Sequence, residues 1–209
     1  MISALDALER LRLGNRHFVS EHPDHEMHTT RARRKELVQG QEPFAIILGC
    51  SDSRVPAEII FDQGLGDLFV IRVAGNIIAP SLVGSVEFAA ERFGTRLVVV
   101  LGHSGCGAVQ ATLEVLEQPI ESRSVNLHAI VDRIRPVLEP LMETDLRRDP
   151  EALIRKAVRA NIRASANQLR HGSSFLERSI QGEGLLVVGA EYSLETGLVD
   201  FFDGVPATG

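Results

Sequence analysis

The sequence predicts an α/β fold in which a mainly parallel central sheet is flanked by helices. Short, continuous apolar runs recur along the chain, and their length and composition are typical of strands buried on both faces. Segments with helical periodicity separate these runs, and such alternation favours parallel strands joined by right-handed crossovers. With 209 residues, of which 44% are hydrophobic and 24% are charged, the chain is sufficient for one domain with a buried core.

Four apolar runs are the predicted strands: residues 44–48, 68–73, 97–101 and 185–188. Three helices are predicted between them, over residues 56–61, 81–93 and 106–116. Residues 124–171 have a helical, Arg-rich pattern that Pro136, Pro140 and Pro150 interrupt. After the last apolar run, the segment Glu195-Thr196-Gly197 stands between apolar flanks, which predicts a closing hairpin.

The first forty residues differ from the rest and are predicted to form an N-terminal helical arm, residues 1–40, ahead of an α/β unit over residues 41–209. Leu5, Leu8 and Leu11 follow a helical rhythm, joined less regularly by Leu13 and Phe18. A helix with a single apolar stripe has to lie against another surface, and we expect a partner subunit to supply it. A polar loop over residues 22–30 and a short basic helix over residues 30–39 follow.

Composition excludes several classes of protein. The net charge of −6 provides no basic surface for nucleic acid, and the run from Arg31 to Lys35 leads directly into Glu36, as on a solvated helix face. No apolar stretch approaches the roughly 20 residues needed to cross a bilayer. The N-terminus carries Asp6 and Glu9 and lacks the basic start of a signal peptide. We therefore expect a cytoplasmic protein without nucleic-acid or membrane partners.

Reactive residues follow two of the predicted strands. Cys50, Asp52 and Arg54 come after the strand over residues 44–48, while His103 and Cys106 come after the strand over residues 97–101. Sites in parallel sheets form outside the carboxyl ends of strands. If the two strands are neighbours, the two cysteines and the histidine meet at one edge of the sheet.

Two thiolates and one imidazole form a good zinc-ligand set, and three protein ligands leave a fourth position open for catalysis. Zinc held by these three ligands lowers the pKa of a water bound at the fourth position to roughly 7. Because thiolates donate more negative charge than imidazoles, we expect this water to be less acidic than one on a three-histidine site. We therefore expect activity to favour alkaline pH. Taken alone, Cys50 would be interpreted as a small core residue and His103 as a structural histidine. The His103-x-x-Cys106 spacing together with the Cys50 motif favours the metal.

The spacing of Asp52 and Arg54 predicts a second element of the site. If the segment after Cys50 is extended, alternate side chains project to one side, and the Arg54 guanidinium can hold the Asp52 carboxylate at two points. Asp52 can then accept the proton of a zinc-bound hydroxide and orient it. Two alternatives stay open: Asp52 could ligate zinc in place of water, or the pair could be a structural salt bridge.

These motifs, with Gly75-Asn76 after a strand and Ser85-Val86-Glu87-Phe88 in a helix, resemble those of the β-class carbonic anhydrases. The resemblance extends from about Leu11 to the final hairpin. It implies zinc on Cys50, His103 and Cys106, a catalytic dyad of Asp52 and Arg54, and reversible hydration of carbon dioxide to bicarbonate. It also implies a homodimer or a dimer of dimers, with the N-terminal helix reaching onto a neighbouring subunit.

Family variation implies further candidate residues. In some members the aspartate matching Asp52 binds zinc and closes the site. Some of these hold a regulatory bicarbonate with a tryptophan, an arginine and a tyrosine; Arg72 and Tyr192 match the latter two, whereas Ile47 stands in place of the tryptophan. Plant-like members line the substrate pocket with a glutamine, a phenylalanine and a valine; Gln41 and Phe69 match the first two, whereas Ala74 stands in place of the valine.

Two other functions remain open. The same site could hydrolyse carbon disulfide or carbonyl sulfide, as relatives of the family do, or the protein could be a zinc scaffold permanently closed by Asp52. His22, His25 and His28 recur every third residue in the polar loop, where a solvated loop is favoured over a second metal site.

Overall fold

The computed structural model describes residues 2–22, 30–118 and 124–206, and within these ranges the chain forms one five-stranded sheet. The strands are β1 (Ala45–Gly49), β2 (Leu68–Arg72), β3 (Leu97–His103), β4 (Leu186–Tyr192) and β5 (Val199–Asp203). Their order across the sheet is β2-β1-β3-β4-β5; the first four are parallel and β5 is antiparallel to β4. The mainly parallel α/β fold is therefore confirmed.

Eight α-helices lie within the described ranges: α1 (Ala4–Val19), α2 (Arg31–Glu36), α3 (Ala57–Ile60), α4 (Pro80–Arg92), α5 (Gly107–Glu117), α6 (Val125–Met142), α7 (Pro150–His171) and α8 (Ser174–Gly182). Short 3-10 turns cover Leu37–Gln39, Ala74–Asn76 and Asp145–Arg148. None of the described helices is both long enough and apolar enough to cross a membrane.

The predicted strands are confirmed, but two of them are longer than the apolar runs. β3 continues to His103 and β4 to Tyr192, because these residues pair with each other in the parallel ladder. The hairpin of β4 and β5 is also confirmed. Helix α8 was missed by the sequence analysis; it begins after Ser173, whose hydroxyl accepts a hydrogen bond from the Leu176 N–H at 3.2 Å as an N-terminal cap.

The sheet separates two apolar clusters. Ile46, Leu48 and Cys50 point to one side and pack with residues of α4 to α8; we call this side the α4–α8 face. Ala45 and Ile47 point to the other side and pack with α1 and α3; we call it the α1 face. The alternation follows from the two-residue period of a strand, and it assigns Cys50 to the α4–α8 face.

Helix α1 packs on the sheet of its own chain. Leu8 and Leu11 are buried in the cluster of the α1 face, whereas Leu5 and Leu13 are exposed. Asn15, which is also buried, donates to the carbonyls of Ile60 at 3.2 Å and Gly197 at 2.9 Å. The expectation that a partner subunit buries this stripe is therefore wrong for Leu8 and Leu11. The division of the chain at residue 40 stays a prediction.

Candidate metal centre

The carboxyl ends of β1 and β3 bring the three predicted ligands together. These strands are adjacent and parallel, with Gly49 opposite Leu101. Cys50 follows β1 directly, His103 is the last residue of β3, and Cys106 immediately precedes α5. Their ligand atoms lie within 4.8 Å of one another, and all three residues are buried. The sequence prediction that the three side chains meet is confirmed.

His103 is oriented for ligation through its Nε2 atom. Its Nδ1 atom lies 3.0 Å from the Ser104 carbonyl oxygen, a contact that favours the tautomer with the proton on Nδ1. The Nε2 atom is buried and has no hydrogen-bond partner among the residues that the structure describes. Leaving such an atom unpaired is costly, and a metal ion bound beside the two sulfurs would satisfy it. The donor set therefore fits a metal ion.

The two thiols differ in acidity. A hydrogen bond from the Cys106 thiol lowers the pKa of Cys50 to about 4, against the opposing effect of burial, and His103 and backbone N–H groups contribute to the lowering. The same bond, together with burial and the charge on Cys50, raises the pKa of Cys106. The hydrogen bond between the two thiols therefore favours loss of the proton from Cys50 over loss of the proton from Cys106.

Asp52 is held by Arg54 beside the ligands. The guanidinium donates from Nε to Oδ1 at 2.9 Å and from its terminal nitrogen to Oδ2 at 2.7 Å, and these bonds hold the pKa of the carboxyl well below its usual range. The Arg54 N–H also donates to Oδ1, at 3.0 Å, so the segment is a tight turn and the expected extended conformation is wrong. Asp52 Oδ2 lies 3.9 Å from His103 Nε2.

Arg72 fixes the loop that carries Cys50 and Asp52. Its Nε donates to the Cys50 carbonyl at 2.9 Å and a terminal nitrogen donates to the Asp52 carbonyl at 2.5 Å. Tyr192 ends β4, so β1 and β3 lie between it and Arg72 on β2. Ile47 is buried in the middle of β1. The regulatory bicarbonate site stays a prediction. The distance across the sheet between Arg72 and Tyr192 within one chain does not favour it.

The three candidate pocket residues are dispersed within one chain. Ala74 adjoins the site, because the N–H of the next residue, Gly75, contacts the Cys50 sulfur. Gln41 precedes β1, at the amino end of the strand, whereas the metal ligands lie at its carboxyl end. Phe69 pairs with Ile46 in the amino-terminal half of β1 and packs against Phe88 and Phe93. Of the predicted histidines, His25 and His28 lie outside the described residues.

Sequence reasoning missed a buried amide next to the site. Asn161, in the middle of α7, donates from Nδ2 to the Gly75 carbonyl at 2.7 Å, across 86 positions of the chain. Asn76 is also buried, and its Nδ2 has no hydrogen-bond partner among the described residues. The Gly75-Asn76 pair was part of the family motif, but nothing in the local pattern around Asn161 connects it with the site.

The fold and the site define an α/β protein with a Cys-His-Cys group able to hold a metal ion at the carboxyl edge of a parallel sheet. The family model described as carbonic anhydrase matches residues 45–199. Carbonic anhydrase 2 of Mycobacterium tuberculosis is 38% identical over 191 residues, which cover 91% of this chain and 89% of that protein. The carbonic anhydrase of Mycolicibacterium smegmatis is also 38% identical, over 93% of this chain and 91% of its own length.

A solved structure supports the same assignment. The β-carbonic anhydrase CafA of Aspergillus fumigatus superposes with a TM-score of 0.73 at 26% identity, covering 83% of this chain and 81% of that one. The chain therefore belongs to the carbonic anhydrase family, and within it to the β class.

Proposed function

We propose that the protein catalyses the reversible hydration of carbon dioxide to bicarbonate and a proton, with one zinc ion held by Cys50, His103 and Cys106. The observation that carries the proposal is the convergence of three buried ligand atoms within 4.8 Å of one another. Family membership supports the reaction, since the two mycobacterial relatives are carbonic anhydrases.

The chemistry of the donors supports zinc. Two sulfurs and an imidazole nitrogen suit zinc, whereas magnesium and calcium prefer oxygen ligands. Zinc binds thiolates, so metal binding releases the thiol protons, and the lowered pKa of Cys50 makes its proton the easier one to lose. When bound, zinc supplies a Lewis acid that makes water a nucleophile near neutral pH.

Asp52 orients the reacting water. Its carboxylate stays ionised throughout the working pH range because Arg54 lowers its pKa, so it accepts a hydrogen bond and cannot donate one. Oδ2 lies 3.9 Å from His103 Nε2, within reach of a water beside the ligands. A water whose proton is engaged by Asp52 Oδ2 has a lone pair free to face carbon dioxide. Arg54 has the role of positioning the carboxylate.

The contacts of Asp52 favour an enzyme over a closed scaffold. Three hydrogen bonds from Arg54 hold the carboxylate. This arrangement engages the carboxylate with Arg54, as the proposed dyad requires, and leaves a lone pair of Oδ2 for a water. No contact in the described residues favours a sulfur-containing substrate over carbon dioxide.

We further propose a homodimer or a dimer of dimers, located in the cytoplasm. β2 is an edge strand, and an unpaired strand edge is a template for association. Phe88 is 53% exposed and continues the aromatic cluster of Phe69 and Phe93 beside that edge. Gln41 could contact the substrate only from a second subunit, since it lies at the far end of the sheet from its own ligands. Light scattering of the purified protein measures the subunit number.

The test of the reaction is the initial rate of carbon dioxide hydration by zinc-loaded protein, followed with a pH indicator from about pH 6.5 to about pH 9. We expect a rate that rises toward alkaline pH. A protein that holds one zinc per chain but shows no rate at any pH would contradict the proposal. Release of sulfide from carbon disulfide by the same sample would then identify the other substrate class.

A further inference from the structure

The turn after β2 supplies a hydrogen bond to one of the metal ligands. The N–H of Gly75 donates to Cys50 Sγ at 3.4 Å, in a buried environment. Gly75 has a φ of +71° and Asn76 a φ of +43°, so two consecutive residues are in the left-handed region. Outside glycine this conformation is strained, and strain of this kind persists only where the surroundings hold it.

Packing around the turn leaves no space for a side chain at position 75. A Cβ atom there would lie 2.8 Å from Ile134 Cδ1 and 3.0 Å from Ala108 Cβ. Ile134 of α6 and Ala108 of α5 therefore pack directly against the turn. The Gly75 N–H is confined against the Cys50 sulfur by both its backbone angle and its neighbours.

The side chain of Asn161, from α7, contacts the turn at the Gly75 carbonyl. Asn161 is 2% exposed and donates from Nδ2 to the Gly75 carbonyl at 2.7 Å. Its neighbours Ala157, Val158 and Ile162 belong to the apolar cluster of the α4–α8 face. A short amide hydrogen bond in such surroundings is stronger than in water, and breaking it leaves a buried carbonyl unpaired.

The Val73 carbonyl makes two further contacts, accepting from Ser51 N–H at 3.3 Å and from Asn76 N–H at 3.1 Å. The first bond attaches the start of the turn to the Cys50 loop. The second engages the N–H of the peptide unit that joins Gly75 to Asn76, and the carbonyl of that same unit accepts from Asn161. Val73 and Asn161 therefore fix the orientation of this peptide together.

We infer that Asn161 is a positioning residue of the metal centre: through Gly75 it holds an N–H group against the Cys50 sulfur and thereby sets how tightly the site binds metal. The inference rests on the proposed zinc site. A hydrogen bond to a ligating thiolate orients the sulfur and draws electron density from it, so it affects both affinity and the electronic character of the metal–sulfur bond. Asn161 acts through Gly75 and touches neither the metal ligands nor the substrate.

The chain offers a matched control on the opposite face of the sheet. Asn15 is also buried, at 4% exposure, and its Nδ2 also donates to backbone carbonyls, those of Ile60 and Gly197. These contacts anchor α1 and lie away from the metal ligands. Asn15→Leu and Asn161→Leu both remove a buried amide that donates to backbone carbonyls while keeping the approximate size of the side chain; Asn15→Leu also removes the acceptor of the Val199 N–H.

The experiment compares zinc affinity in the wild type and both variants, by competition with a chromophoric chelator. We expect Asn161→Leu to weaken zinc affinity about 10- to 100-fold, as loss of a contact behind a metal ligand typically does. It should also shift the thiolate-to-metal charge-transfer band of the cobalt-substituted protein. Asn15→Leu should lower the melting temperature and leave both readouts unchanged. Equal effects of the two variants on affinity, or no effect of Asn161→Leu, would overturn the inference.

A measurement on the wild type keeps the inference testable if Asn161→Leu does not fold. In protein loaded with cadmium-113, the Gly75 amide proton should show scalar coupling to the metal through the Cys50 sulfur. Absence of that coupling would overturn the inference. A wild type that binds no zinc at all would overturn the proposed function instead, so the two failures are distinguishable.

Discussion

The two faces of the sheet are built from similar residues but have different roles. Each has a buried cluster of aliphatic side chains and a buried asparagine that donates to backbone carbonyls. On the α1 face, Asn15 joins one element of the fold to another. On the α4–α8 face, Asn161 holds the turn that contacts Cys50. The comparison teaches that the role of a buried amide depends on the residue it bonds: Gly75 contacts the sulfur of Cys50, whereas Ile60 and Gly197 contact no candidate ligand within the described residues.

The largest expected effect comes from the ligand on the α4–α8 face. Cys50→Ser should abolish zinc binding and reduce carbon dioxide hydration to the uncatalysed rate, because a hydroxyl is a much weaker ligand than a thiolate. Zinc content by atomic absorption and the initial rate measure the two effects. Ala7→Ser places a hydroxyl at a buried position of the α1 face, at 1% exposure, and should retain zinc and activity. Full activity of the Cys50 variant would refute the ligand assignment.

Asp52→Asn should separate binding from turnover. The amide cannot act as an ionised acceptor, so we expect kcat to fall by about 10²- to 10⁴-fold, the usual range for loss of a group that handles a proton. Zinc content should be unchanged, because Asp52 is paired with Arg54. The check is the rate per bound zinc. An unchanged kcat would exclude a catalytic role, and a loss of zinc would indicate that Asp52 is a ligand.

Core truncations on the two faces should cost similar stability but differ at the site. Leu11→Ala and Ile162→Ala each remove a fully buried side chain, and each should destabilise the fold by about 2–5 kcal/mol in denaturant unfolding of the metal-free protein. Ile162 packs directly beneath Gly102, next to His103. Only its truncation should also weaken zinc affinity. Equal zinc affinities in both variants would contradict the distinction between the faces.

The smallest expected effect is a change in the pH dependence of stability, caused by Glu191 on β4. Arg159 of α7 bridges Glu191 on β4, at 3.2 Å, and Asp200 on β5, at 2.8 Å, yet burial still raises the pKa of Glu191. A raised folded-state pKa means that stability is highest below the unfolded-state pKa, roughly 4.3, and declines as pH rises through the folded value.

Glu191→Gln should therefore remove part of the decline in melting temperature as pH rises above the ordinary range of a carboxyl group. At neutral pH the variant should melt slightly higher, with each 1 kcal/mol corresponding to about 2–4 °C for a chain of this size. The matched control is Asp200→Asn, since Asp200 is 60% exposed through its side chain and lacks the burial penalty. A lower melting temperature for Glu191→Gln at neutral pH would show that its bond to Arg159 outweighs burial.

Much of the fold was accessible from the sequence because buried parallel strands have a local signature. The run Leu-Val-Val-Val-Leu at residues 97–101 predicted β3, and the placement of Cys50 and His103 after neighbouring strands predicted their meeting. The ends of β3 and β4 were not predictable in this way, since their last residues depend on pairing with each other.

What failed depends on contacts between distant parts of the chain. The apolar stripe of α1 correctly predicted a packed helix, but periodicity carries no information about whether its own sheet or another subunit receives it. The segment from Asp52 to Arg54 is an Asx turn and not extended, because the Arg54 N–H donates to Asp52 Oδ1. Asn161 had no local pattern at all, since its partner lies 86 positions away.

The separation of the ligands along the chain has a consequence for how the protein is made. About fifty residues, including β2 and α4, lie between Cys50 and His103. During synthesis, Cys50 emerges from the ribosome before β3 and Cys106. Helix α7, which carries Asn161, is synthesised after all three candidate ligands. All three candidate ligands are therefore made by residue 106, and a chain that stops before α7 would contain them without the helix that carries Asn161.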